Sequence, residues 1–128
     1  MKLSLLQLSL LAALGAPLSA TAHEGDSPSG QLGTVSFANS CDAKVQKELQ
    51  RAVAMLHSFW FSAGEGTFRH VLADDPSCAI ATFGIAALLM NNPLAGQGAS
   101  PKAAEAALAA IEQGRKIGAK TERERDYI

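Results

Sequence analysis

Residues 42–76 read DAKVQKELQRAVAMLHSFWFSAGEGTFRHVLADDP, and the fold is decided by their spacing. Val45, Leu49, Ala52, Leu56 and Phe59 recur at intervals of four, three, four and three, which is one face of an α-helix. Val53 and Trp60 widen that stripe, while Lys44, Gln46, Lys47, Glu48 and Arg51 fall on other faces. The spacing predicts a first helix from about Asp42 to Phe59. After a very short turn, Ser62 and Glu65 have the form of a capping box, so a second helix is expected from near Ala63. Its apolar side is Gly64, Phe68, Val71 and Leu72. Gly64 and Gly66 each cost about 1 kcal/mol relative to alanine in an exposed helix interior. Either a neighbouring backbone comes close there, or the helix is simply weak.

Toward the C-terminus, Asp75 is a natural N-cap and Pro76 suits a first helical position, so a third helix is expected from there to about Met90. Cys78 to Met90 is apolar nearly all round, which marks a central helix, and it is too short to span a bilayer. Asn91 to Ala99 is a loop bearing proline and glycine. Ser100 and Pro101 repeat the cap-then-proline start, and a fourth helix should run to about Ile117 with Gly118 as its stop. Ala104, Leu108 and Ile111 are its expected inner face. Thr121 and Glu124 form another capping box with one turn of chain behind it, which reads as the start of a helix in a sequence that continues. A frayed tail is the alternative.

Toward the N-terminus, Lys2, the apolar stretch Leu3 to Leu14, Pro17 and Ala20-Thr21-Ala22 have the order of a secretory signal peptide cleaved after Ala22. Residues 23–40 are rich in Gly, Ser and charge and read as a flexible leader, its end pinned to the core by Val35 and Phe37. Without residues 1–22 the chain has 106 residues, enough for one all-α domain of four or five helices over 41–128. A formal charge of −1 without a basic stripe gives no nucleic-acid signature. The expected location is the periplasm or the exterior, with no stable membrane insertion after cleavage.

Tight and looser turns alternate between these helices, and small residues recur 34 apart at Ala52 and Ala86. Ala52, Gly64, Phe68 and Pro76 also match the packing pattern of a tetratricopeptide repeat: small, small, aromatic four later, exit proline. The chain resembles that family, and specifically exported bacterial members. Asn39-Ser40-Cys41, Leu56-His57-Ser58-Phe59-Trp60-Phe61, Asp75-Pro76-Ser77-Cys78-Ala79 and the tail 118–128 carry the likeness, which covers most of the expected mature chain. In the tail, such proteins continue into further repeats. Gly64, Gly66 and the pair Thr82-Phe83 depart from the pattern, which predicts looser packing between helices two and three.

The resemblance implies antiparallel helical hairpins stacked into a superhelix, with a concave groove lined by the first helix of each. Gln46, Leu49, Val53 and His57 are the groove candidates on helix one, and Ile80, Phe83, Ala87 and Asn91 on helix three. Later repeats could instead cover the apolar ones. In such a stack the N-termini of helices one and three are neighbours, so a Cys41–Cys78 disulfide is expected, contributing roughly 4 kcal/mol in the chain-entropy model. Two buried free thiols are the alternative.

Other chemistry was sought. The spacings of His23, His57 and His70 match no metal motif, and a zinc site of Cys41, Cys78, His57 and His70 would need distant elements to converge. A processed N-terminal His23 could chelate copper through its amine and imidazole, as any such terminus can. No nucleophile elbow or phosphate loop appears, and Gly96-Gln97-Gly98 lacks the continuation of a dinucleotide fingerprint. Phe59, Trp60 and Phe61 read as packing at the turn rather than recognition. The expectation is therefore an exported scaffold without catalytic residues or cofactor, binding a protein or peptide segment. The alternative is the helical arm of a larger enzyme or metal-handling protein whose active part lies beyond residue 128.

Overall fold

The computed structural model describes residues 32–96 and 98–128. The expected signal peptide, residues 23–31 of the leader, His23 and Gln97 lie outside the described residues. The described chain is all-helical, without strands. Residues 32–40 are neither helix nor strand, and a single 3-10 turn, Ala43–Val45, leads into α1, Gln46–His57. α2 is Phe61–Asp74, α3 Ile80–Leu89, α4 Pro101–Ile117 and α5 Glu122–Tyr127, with a second 3-10 turn at Pro93–Ala95. α2 packs on α1, α3 on α2, and α4 on α3; α1 also touches α3, and α5 touches α3. No described helix is long and apolar enough to cross a membrane.

α1 buries the stripe expected of it, Leu49, Ala52 and Val53, just after a buried Val45. Its end differs from expectation. Phe59 takes a left-handed φ of 60°, reverses the chain, and leaves its ring 52% exposed instead of closing the inner face. The Trp60 N–H donates back to the Met55 carbonyl at 3.0 Å, so α2 starts at Phe61, ahead of Ser62. The expected Ser62–Glu65 capping box therefore does not form, and Glu65 instead pairs with Arg69 one turn on, at 2.7 Å.

The core is set by small residues. Gly84 of α3 lies under the tip of the buried Phe68 ring of α2, where any Cβ would collide with it. A Cβ on Gly64 would sit 3.0 Å from Leu88 Cδ1 and 3.3 Å from Met55 Cβ. The looser packing anticipated between α2 and α3 is thus not what is found: glycine brings α2 close to both neighbours. Ala52 and Ala86, the pair 34 apart, are both buried.

α3 begins four residues later than expected, because Asp75 ends α2 and residues 76–79 form a turn. α4 matches expectation in its ends: the Ser100 Oγ accepts from the Ala103 N–H, and Gly118 has φ 85°. Its inner face is rotated from the one expected. Ala107, Ala110 and Gly114 are buried, Ile111 is partly so, and Leu108 is 57% exposed. The close approach of Thr82 to Gly114 requires this, since a side chain there would collide with the Thr82 hydroxyl.

Candidate peptide-binding site

Two polar knots fix the geometry at one end of the molecule. Cys41, just before the turn into α1, is bonded to Cys78 before α3, with the sulfurs 1.98 Å apart. Beside it lies the buried carboxylate of Asp75. Its Oδ2 accepts the Asp42 N–H at 2.7 Å, and its Oδ1 accepts the Ser77 N–H at 3.0 Å and hydroxyl at 2.7 Å. The Asp42 amide, with the Ser77 donors and the charge of Lys120, outweighs burial and holds Asp75 below its ordinary value. Asp75 therefore does start a turn at Ser77, as its cap-like character suggested, but its second task is to lock α1 to the α2–α3 corner.

The second knot is Glu124 on α5, 2% exposed. It accepts the Ser40 N–H at 2.8 Å, the Ser40 hydroxyl at 2.7 Å and the Thr121 hydroxyl at 2.9 Å. Burial alone pushes this carboxyl up; the Ser40 and Thr121 donors overcome that and hold it below the usual range. A six-residue helix is unstable in isolation. α5 persists because its capping box forms and the same glutamate grips residue 40.

Between these knots residues 37–40 lie across α1 and α5. The Phe37 N–H donates to Gln50 Oε1 at 2.8 Å, and Gln50 Nε2 donates to the Phe37 carbonyl at 3.1 Å, a two-point grip on the backbone of one residue. Asn39 and Gln46 exchange hydrogen bonds at 2.9 and 2.7 Å, and Gln46 also donates to the Cys41 carbonyl. From α5, Arg123 Nη1 donates to the Ala38 carbonyl at 2.6 Å. The Arg123 guanidinium stands 4.9 Å from the centre of the Phe37 ring and 5.5 Å from that of Tyr127. Phe37 meets Tyr127 edge-on at 6.0 Å, and Tyr127 meets Phe83 of α3 at 4.9 Å.

The eight groove candidates divide accordingly. Leu49, Val53, His57, Ile80 and Phe83 converge on one cavity of about 180 Å³, which Phe37 and Tyr127 also line. Leu49, Val53 and Ile80 are nonetheless buried, so they form its floor and offer no open surface; the apolar face they were expected to present is covered by the chain itself. Phe83 and Ala87 are half-buried, and His57 and Asn91 are exposed. Gln46, Ala87 and Asn91 do not reach the cavity; Gln46 is engaged by Asn39. A wider cleft of about 840 Å³ lies between residues 32–35 and a face formed by Lys44 and, on α1, Lys47 to Ala54, but it is open to solvent.

The leader thus ends earlier than residue 40: its last residues are held by hydrogen bonds. Gln50, Asn39, Arg123, Glu124 and Tyr127 were not singled out for this site from the sequence. The Asn39-Ser40-Cys41 and tail segments that carried the family resemblance do contain most of them. The sulfurs and Asp75 converge within 4.8 Å, a metal-like grouping, yet both sulfurs are consumed by the disulfide. That also removes the arrangement of Cys41, Cys78, His57 and His70 around zinc. Compared with known proteins, no family model matches the chain, and no match was found among curated proteins or solved structures.

Proposed function

We propose that the chain is an exported scaffold of tetratricopeptide-repeat type, which holds an extended segment of a partner protein along the face formed by α1, α3 and α5. On this reading α1 with α2, and α3 with α4, are antiparallel hairpins, and residues 1–22 are a cleaved signal peptide. The working compartment is the periplasm or the exterior, where a disulfide such as Cys41–Cys78 persists. The burial of Ala52, Gly64 and Phe68 at the register positions of the repeat supports it. So does the closeness of the N-terminal ends of α1 and α3, with the Cys41 and Cys78 Cα atoms 4.7 Å apart.

One observation carries the binding reading: a stretch of backbone outside any helix is already read there by side chains. Gln50 takes both the N–H and the C=O of one residue, and Arg123 takes the next carbonyl. Contacts of this kind accept many sequences, while an apolar cavity beside them selects one side chain. Selection of a displayed peptide library on the purified, oxidised protein tests the idea. Enriched peptides should share an aromatic residue and lose roughly tenfold in affinity against a Phe83→Ala protein of unchanged circular dichroism, the cost of one lost anchor contact. Peptides that bind both proteins equally would place recognition elsewhere.

A further inference from the structure

Resting on that reading, we infer that Val35 to Ser40 is the groove's own ligand: the molecule is a self-occupied receptor, and its partner is an extended peptide that displaces this segment with an aromatic side chain larger than phenylalanine. Three independent features point there.

The first is the kind of contact. Gln50, Arg123 and Glu124 bind the N–H groups of Phe37 and Ser40 and the carbonyls of Phe37 and Ala38. A core segment is ordinarily held through its side chains or through strand or helix ladders. Here four backbone groups are read by side chains of two helices, beside the contacts of the Phe37 ring and the Ser40 hydroxyl, which is how a peptide ligand is held.

The second is the fit. Phe37 is half-buried and lines, with Phe83, Leu49 and Val53, a cavity of about 180 Å³ that its ring leaves unfilled. The lining is mostly apolar, and a space of that size has room for several more carbon atoms. The present occupant is therefore a poor filler of its own site, and an indole would fill it better.

The third is the tether. Residue 41 is fixed to Cys78, so the segment cannot leave the neighbourhood of the groove. A short tether gives an effective concentration in the millimolar range, and a mediocre ligand then outcompetes a dilute one. Tethering and poor filling together make a contact that yields only to a better-shaped partner.

The test uses the full oxidised chain and two fluorescein-labelled peptides, LGTVSFANS, which copies residues 32–40, and LGTVSWANS, its tryptophan version. Phe37→Ala in the chain should raise affinity for both peptides by roughly tenfold or more, since the tethered competitor has lost its anchor. LGTVSWANS should bind more tightly than LGTVSFANS to either protein. Asn39→Ala, which loosens the tethered segment's tie to Gln46 and leaves Gln50, Arg123 and the cavity intact, should shift affinity the same way by less, and it serves if Phe37→Ala does not fold. In the unmodified chain, saturating LGTVSWANS should speed hydrogen exchange at the Phe37 amide. Library peptides that bind wild type and Phe37→Ala equally would overturn the self-occupancy and leave the groove reading intact. A folded Phe37→Ala protein that binds neither these peptides nor any library peptide would overturn both.

Discussion

Between α2 and α3 the tip of Phe68 rests on Gly84 with no side chain in between. Between α5 and residues 37–40 the joint is instead a buried carboxylate, Glu124, taking two hydrogen bonds from Ser40. The first contact is apolar, formed by neighbours in the chain order of the helices, and indifferent to pH. The second spans 84 residues and depends on a charge. The molecule therefore has a core that should stay folded when its lid does not, and each perturbation below is aimed at one side of that contrast.

The largest effect belongs to the core. Phe68→Ala removes a fully buried ring and leaves a void that Gly84, having no side chain, cannot fill. It should cost about 3–5 kcal/mol, enough to remove most of the stability of a small domain, as read by chemical denaturation. A loss under about 1 kcal/mol would show that this contact is not the keystone. Next is the disulfide. Replacing Cys41 and Cys78 by serine opens a loop of sequence separation 37 and should cost about 2–4 kcal/mol in the same assay.

The lid should respond to acid. Glu124 and Asp75 both titrate lower in the folded protein than their ordinary values of 4.5 and 3.8. A depressed carboxyl binds fewer protons folded than unfolded, so its stabilisation is present above the unfolded value and is lost as pH falls through it toward the folded one. Stability should thus be flat near neutrality and decline below about pH 4.5. Glu124→Gln should cost about 1–3 kcal/mol at pH 7, the range for removing a charged hydrogen-bond partner, and should flatten that acid limb. Exchange at the Ser40 amide should rise with it while amides of α3 stay protected. An acid limb identical to wild type would mean the carboxylate is not the tie.

These two sides were also unequally legible in the sequence. The α1 stripe of Leu49, Ala52 and Val53, the ends of α4 and the Thr121 capping box could be read because each rests on spacing within a few residues. The start of α2 could not, because Phe59 turns the chain in a left-handed conformation that no glycine announces. The inner face of α4 is not legible from Ala104, Leu108 and Ile111, because close packing against α3 turns the small residues Ala107, Ala110 and Gly114 inward. Asp75 looked like a local cap, and nothing nearby in sequence signals its bond to Asp42, 33 residues away. The pairing of Cys41 and Cys78 was legible only through a fold hypothesis about which helix ends adjoin. That the chain itself covers Leu49, Val53 and Ile80 depends on Phe37, Gln50 and Tyr127 meeting across long separations.

The smallest effect is the most discriminating about what glycine does here. Gly64 and Gly66 lie two positions apart in α2, and the sequence offered the same two explanations for both. A Cβ at Gly64 would press on Leu88 at 3.0 Å and on Met55 at 3.3 Å, while one at Gly66 would meet nothing within 4 Å. Alanine at 66 should therefore stabilise the protein by about 0.5–1 kcal/mol, since it restricts the unfolded chain and favours helix at no steric cost. Alanine at 64 receives the same propensity gain but must move Leu88, and the contact with Met55 Cβ, an atom fixed in place by its own backbone, has no rotamer to relieve it. Its net effect should be destabilising by about 1 kcal/mol or more. Opposite signs in thermal unfolding would show that only one of the two glycines is there for packing. If both variants gain stability, α1, α2 and α3 are less closely apposed than the Phe68–Gly84 contact implies, and the contrast between a rigid core and a labile lid loses its rigid half.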